Sequence, residues 1–192
     1  MNIKQNSSST LPVITQTKAL TIPLVTLKVK SLVETIFFLA IISAVPALLA
    51  HTPSNQWVTG ILVNALLFGA CLRIGIVNTI LIGILPSGIA LLRGLLPIPM
   101  AIMIPYIILG NTIMITAFGL LPFKSLLARM ITAASLKFFL IFSATFFLTI
   151  IPREIIQMMQ WPQLITALAG GLLTLGVIKI FPKLNPKSKR TL

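Results

Sequence analysis

Long apolar stretches run through this chain, parted by short joints of charged residues, prolines and polar clusters. Crossing the ~30 Å hydrocarbon core of a bilayer takes about 20 apolar helical residues. The joints therefore divide the chain into six candidate spans, near 33–50, 57–72, 75–92, 97–122, 126–151 and 160–181. The second and third are short and joined only by CLRIG, Cys71 to Gly75. A tight turn at Arg73 is expected there; a single broken or tilted segment, leaving five spans, is the alternative. The pattern predicts an all-α membrane protein, a bundle of six transmembrane helices with cytoplasmic N- and C-termini.

Composition agrees with the pattern. Of 192 residues, 57% are hydrophobic and 9% charged, and the mean hydropathy is +1.06. Two acidic and fifteen basic residues cannot furnish the charged surface that a soluble core of this length needs. The net charge of +13 would suggest nucleic acid in a soluble chain. Here it obeys the positive-inside rule instead. With both ends cytoplasmic, twelve of the fifteen basic residues fall inside, including Arg73, Lys124, Arg129 and Lys179; Arg93 and Arg153 fall outside and Lys137 within a span. Nucleic acid is not an expected partner; the lipid bilayer is.

Residues 1–30 read as a polar cytoplasmic tail, and 31–182 as the six-helix domain. Residues 183–192 form a basic cytoplasmic tail. The first tail lacks the n-region, apolar core and cleavage site of a secretory signal. Its stretch from Leu20 to Lys30 has the pattern of a segment lying along the membrane surface. The lone Cys71 excludes an internal disulfide and a cysteine-based metal cluster.

Candidate chemistry begins at Arg93, planted in the external connection between the third and fourth spans, where Gly94, Pro97 and Pro99 prevent a continuous helix. Its bland role is a loop arginine at headgroup level. Pro105 is expected to kink the fourth span and free a carbonyl near Ala101, beside Tyr106, Asn111, Thr112 and Thr116. An amide as deep as Asn111 must bond a neighbouring helix or a ligand. Thr145 in the fifth span, Trp161 and Gln163 in the sixth, and the loop from His51 to Trp57 belong to the same outer region. Trp57 and Trp161 also fit an aromatic belt at the membrane interface. Lys137 lies ~12 Å deeper than Arg129 along the fifth helix and either snorkels or faces a polar cavity.

Much chemistry is missing. A single histidine and two glutamates offer no paired-histidine protease motif, no buried carboxylate for proton coupling and no metal site. Glu34 and Glu154 stand where local ion pairs suit them. No phosphate-cradling glycine motif is present, so ATP-driven work would need another subunit. The chain is not expected to be an enzyme, and no cofactor is implied.

Two stretches carry a resemblance. AIISA, Ala40 to Ala44, continues through Ala47 and Ala50 as a small-residue surface on the first span, and small residues let helices approach closely. The stretch LPSGIALLRGLLPIPMAIMIPYIILGN, Leu85 to Asn111, is the other. With six spans and no nucleotide motif, the chain resembles the substrate-binding membrane subunits, or S components, of energy-coupling factor (ECF) transporters, in the subset without an assigned substrate. The resemblance implies capture of a vitamin-like small molecule at the outer side, with Arg93, Tyr106, Asn111, Thr145, Trp161 and Gln163 as candidate substrate-binding residues. It implies docking through Ala40, Ala44 and Ala47 on a transmembrane coupling subunit that works with two ATPase subunits, in the cytoplasmic membrane of a prokaryote. External Arg93 and Arg153 favour a neutral or carboxylate-bearing solute over a cation. Two other classes stay open. One is a non-transporting structural or assembly subunit, in which Asn111 and Tyr106 only bond neighbouring helices. The other is a membrane enzyme acting on lipids, which the shortage of histidine and carboxylates disfavours.

Overall fold

A computed structural model describes residues 29–49, 55–92, 94, 98–148 and 152–181. Both predicted tails, Arg93 and most of the loop from His51 lie outside the described residues. The helices are α1 (Val29–Leu49), α2 (Asn55–Ile74), α3 (Ile76–Leu92), α4 (Ile104–Leu120), α5 (Leu126–Phe147), the short α6 (Arg153–Met159) and α7 (Trp161–Ile180). A 3-10 helix, Ile98–Met103, leads into α4. Among the described residues there is no strand. Helices are what an apolar chain must form in lipid, where each backbone polar group needs a partner within its own segment.

Five stretches are long and apolar enough to cross a membrane: Ser31–Leu49, Gln56–Ile74, Met100–Leu120, Leu126–Phe147 and Arg153–Ile180. The protein is thus a multi-pass membrane protein. The sixth segment, α3, is a separate helix of 17 residues, about 25 Å long at the α-helical rise. The turn before it falls two residues later than the sequence suggested. Arg73 remains helical because its guanidinium is tied to Glu34 of α1 at 2.8 Å, and the reversal is made by Gly75, whose φ of 86° suits glycine. Pro105 also differs from expectation. It does not kink a continuous α-helix but stands in the first turn of α4, after the 3-10 segment. Its missing N–H costs nothing at that position.

Contacts between helices fix their directions. The Arg73 and Glu34 pair joins the end of α2 to the start of α1, and Asn78 of α3 donates to Ser31 Oγ of α1 at 2.9 Å. Arg129 of α5 donates to the Phe118 and Gly119 carbonyls at the end of α4, and Ser125 Oγ caps α5 by accepting from Ala128 N. Helices α2 and α7 run the same way, because Gly60 faces Thr166, Asn64 faces Gly170, and Thr174 Oγ1 donates to the Ala65 carbonyl. The start of α1 and the end of α7 therefore share one end of the bundle. Arg73, Lys124, Arg129 and Lys179 lie there too, and we name it the basic end.

One apolar core fills the basic half, with Phe68 against Phe118 edge to face at 4.9 Å and Ile42, Leu67, Ile82 and Met114 around them. A second, richer in methionine, fills the α6 end around Met100, Met103, Ile141, Ile155 and Met159. Between the two lies a polar layer.

Candidate functional site

Lys137 stands midway along α5 and is only 3% exposed. Its Nζ donates to Asn64 Oδ1 at 2.8 Å, midway along α2. Asn64 in turn donates from Nδ2 to the Gly60 carbonyl at 2.8 Å, which aims its oxygen at the lysine. Small residues make the room. A Cβ on Gly110 of α4 would come within 3.3 Å of Lys137 Cγ, and Ala133 and Ala134 are fully buried on the turn before Lys137. On the far side, Thr166 of α7 closes over Gly60. Helices α2, α4, α5 and α7 thus enclose the amine.

Charge makes this layer unusual. A cation at the centre of a span costs about 2.5–3.5 kcal/mol or more, and is normally paired or turned toward a polar cavity. The chain has two acidic residues in all. Glu34 is engaged by Arg73 at the basic end, and Glu154 is exposed on α6 at the other end. Neither reaches the middle, so Lys137 is held by an amide and by no carboxylate.

The candidate residues from the sequence fall into separate places. Asn111 is 5% exposed at mid-depth in α4; its Nδ2 donates to the Gly83 carbonyl of α3 at 3.4 Å, while its Oδ1 has no partner among the described residues. Tyr106 is half-buried against the methionine-rich core. Thr145 donates to the Phe142 carbonyl of its own helix and accepts from Gln160 Nε2 at 3.3 Å. Gln163 Nε2 lies 3.7 Å from Met159 Sδ. Tyr106, Thr145 and Gln163 therefore gather around the joint between α6 and α7, and Gln56 ties α2 to the same joint through the Met158 carbonyl. Trp161 does not join them: it is 61% exposed, its ring 5.3 Å from that of Phe138. Arg93 lies outside the described residues. On α1, Ala40 is exposed while Ala44 and Ala47 are half-buried.

Sequence reasoning noticed Lys137 but missed its partner. Asn64 interrupts an apolar run in the middle of the second span, as Lys137 does in the fifth, and equal depth was the available signal. Among the described residues no three His, Cys, Asp or Glu side chains gather to hold a metal.

A lateral groove of about 480 Å³ opens between α1, α2 and α7 at the basic end. Phe37, Phe38, Leu66, Leu72 and Leu173 wall it, and Glu34 and Arg73 stand at its polar edge. Its character is hydrocarbon, unlike that of the central layer. Compared with protein-family models, curated proteins and solved structures, the chain matches none.

Proposed function

We propose that this chain is the substrate-binding membrane subunit, or S component, of an ECF-type transporter. It captures a vitamin-like small molecule, neutral or carboxylate-bearing, at the outer side, and partner subunits drive import with ATP. On this reading all six segments span the cytoplasmic membrane of a prokaryote and both termini are cytoplasmic. Support for that orientation comes from Arg73, Lys124, Arg129 and Lys179 at one end, as the positive-inside rule requires of a cytoplasmic face.

The observation that carries the reading is the buried lysine. A small bundle of apolar helices has no structural need of a mid-depth amine held by one amide oxygen, whereas a solute-binding bundle does. The α6 joint, with Tyr106, Thr145 and Gln163, is then the outer wall of the path to it. No acid and base pair accompanies the lysine, so the reading is of binding and not catalysis. Exposed Ala40 offers the transmembrane coupling subunit a close approach. Purification from native membranes in mild detergent tests the reading. Co-purified coupling and ATPase subunits together with a small molecule are expected; their absence overturns it.

A second reading, a structural or assembly subunit of a larger complex, is favoured by Asn111, whose amide ties α4 to α3, and by Tyr106 packed into an apolar core. That reading expects membrane subunits without ATPases, and no solute.

A further inference from the structure

Of the charged side chains whose surroundings the structure describes, all but one have a partner or an exposed position suited to them. Glu34 and Arg73 neutralise each other, Arg129 is spent on the carbonyls of Phe118 and Gly119, and Lys124, Arg153, Glu154 and Lys179 are exposed. Lys137 differs from all of these. Its side chain is shut inside four helices, and its one hydrogen-bond acceptor among the described residues is Asn64 Oδ1. An ammonium carries three N–H donors and needs an acceptor for each when water is excluded. In the protonated amine two donors and the charge are left over, and neither of the chain's two carboxylates stands nearby. Snorkelling is no remedy, because the amine is held at mid-depth by an amide itself fixed on the Gly60 carbonyl.

The geometry points to Lys137, oriented by Asn64, as the group that binds the carboxylate of a small anionic substrate at the centre of the bundle. This rests on the substrate-binding reading above and narrows its solute from neutral or anionic to anionic. The missing acceptors are then the two carboxylate oxygens, and the missing negative charge is the solute's own, so the site is complete only when loaded. A charge-assisted pair in a water-excluded layer is also selective: a cation meets like charge, and a neutral solute leaves the ammonium unmatched. Asn64 acts as a positioning residue, holding the amine away from the lipid-facing side of α5.

The test uses the full chain in mild detergent, with sodium chloride held constant across the ligand panel and varied by itself as a chloride control. Extracted small molecules are identified by mass spectrometry, and thermal unfolding is followed with biotin, pantothenate and nicotinate as carboxylate probes beside thiamine and pyridoxine. The expected result is a carboxylate, co-purified or found in the panel, that raises the unfolding temperature of the wild type. Its affinity should fall at least ~30-fold in Lys137→Met and partly recover in Lys137→Arg, which keeps the cation. Should Lys137→Met fail to fold, the charge of the molecule bound by the wild type decides. A neutral or cationic ligand, equal affinity in Lys137→Met, stabilisation by chloride alone, or no carboxylate bound at all overturns the assignment. Partner subunits separate the two failures. ATPases co-purified with a neutral solute sink the carboxylate site and leave the transporter reading standing; a Lys137-dependent carboxylate without ATPases does the reverse.

Discussion

Lys137 of α5 and Asn64 of α2, 73 positions apart in sequence, meet at 2.8 Å in the middle of the bundle, and each is nearly inaccessible. The contact joins two helices through a direct side-chain pair, so its energetics can be isolated. Replacing Asn64 with leucine removes the one described acceptor of the amine and should destabilise the protein by about 1.5–3 kcal/mol. Adding Lys137→Met to that variant removes the stranded amine as well, and should recover much of the loss, because an apolar pair of similar volume avoids the desolvation cost. Denaturation of the four proteins of this cycle, wild type included, measures the coupling. Additive losses would mean that the two side chains do not interact.

Gly170 marks a close approach of α7 to α2. A Cβ there would lie 2.7 Å from the Ile61 carbonyl oxygen and 2.8 Å from Asn64 Cβ, and a helix backbone cannot give way as a flexible side chain can. Gly170→Ala should therefore cost about 1–3 kcal/mol in unfolding free energy, and on the substrate-binding reading it should also weaken affinity by disturbing Asn64. Gly176, on the same helix with open space around it, is the control. Gly176→Ala should be neutral or gain up to ~1 kcal/mol from helix propensity. Equal effects at the two positions would argue against the close α2 and α7 contact.

The helices were legible because lipid imposes a length and a purity of composition, and charges, prolines and glycines mark where a run must stop. Boundaries near Leu49, Leu92 and Leu120 follow from that alone. The turn at Gly75 was read two residues early, since a charge in an apolar run looks like a boundary until its partner is known, and Glu34 lies 39 positions away. The centre of the bundle was harder. Helices that are apolar on every side give no stripe to say which face points inward, so the rotation that turns Asn64 toward Lys137, and Trp161 outward, was not encoded in any local pattern. Asn111 was singled out for its depth; it bonds the next helix and keeps one oxygen without a partner among the described residues.

Orientation can be read chemically. Lys124 lies in the exposed turn between α4 and α5, and Glu154 is exposed on α6 at the opposite end. The native Cys71 is buried, so it should stay silent toward a membrane-impermeant maleimide. In intact cells Glu154→Cys should label at once, and Lys124→Cys only after the membrane is opened. Labelling in the opposite order would invert the topology and remove the positive-inside support for cytoplasmic termini.

On the proposed transporter reading, Ala40 offers a substitution that separates docking from binding. It is exposed on α1, whereas Lys137 and Asn64 are buried. Enlarging Ala40 to leucine adds bulk at an exposed position, so folding and, on the substrate-binding reading, affinity should both stay at wild-type levels. A close helix-to-helix contact with a coupling subunit would not survive that bulk, because such contacts depend on small residues at the point of approach. Pull-down of the partner subunits should therefore fail with Ala40→Leu, while thermal stabilisation by the bound solute persists. The half-buried Ala44 and Ala47 make less clean probes, since their enlargement would also press on α1's own neighbours. Unchanged recovery of partners with Ala40→Leu would remove this face of α1 from the interface, and loss of solute binding in the same variant would place α1 in the site itself.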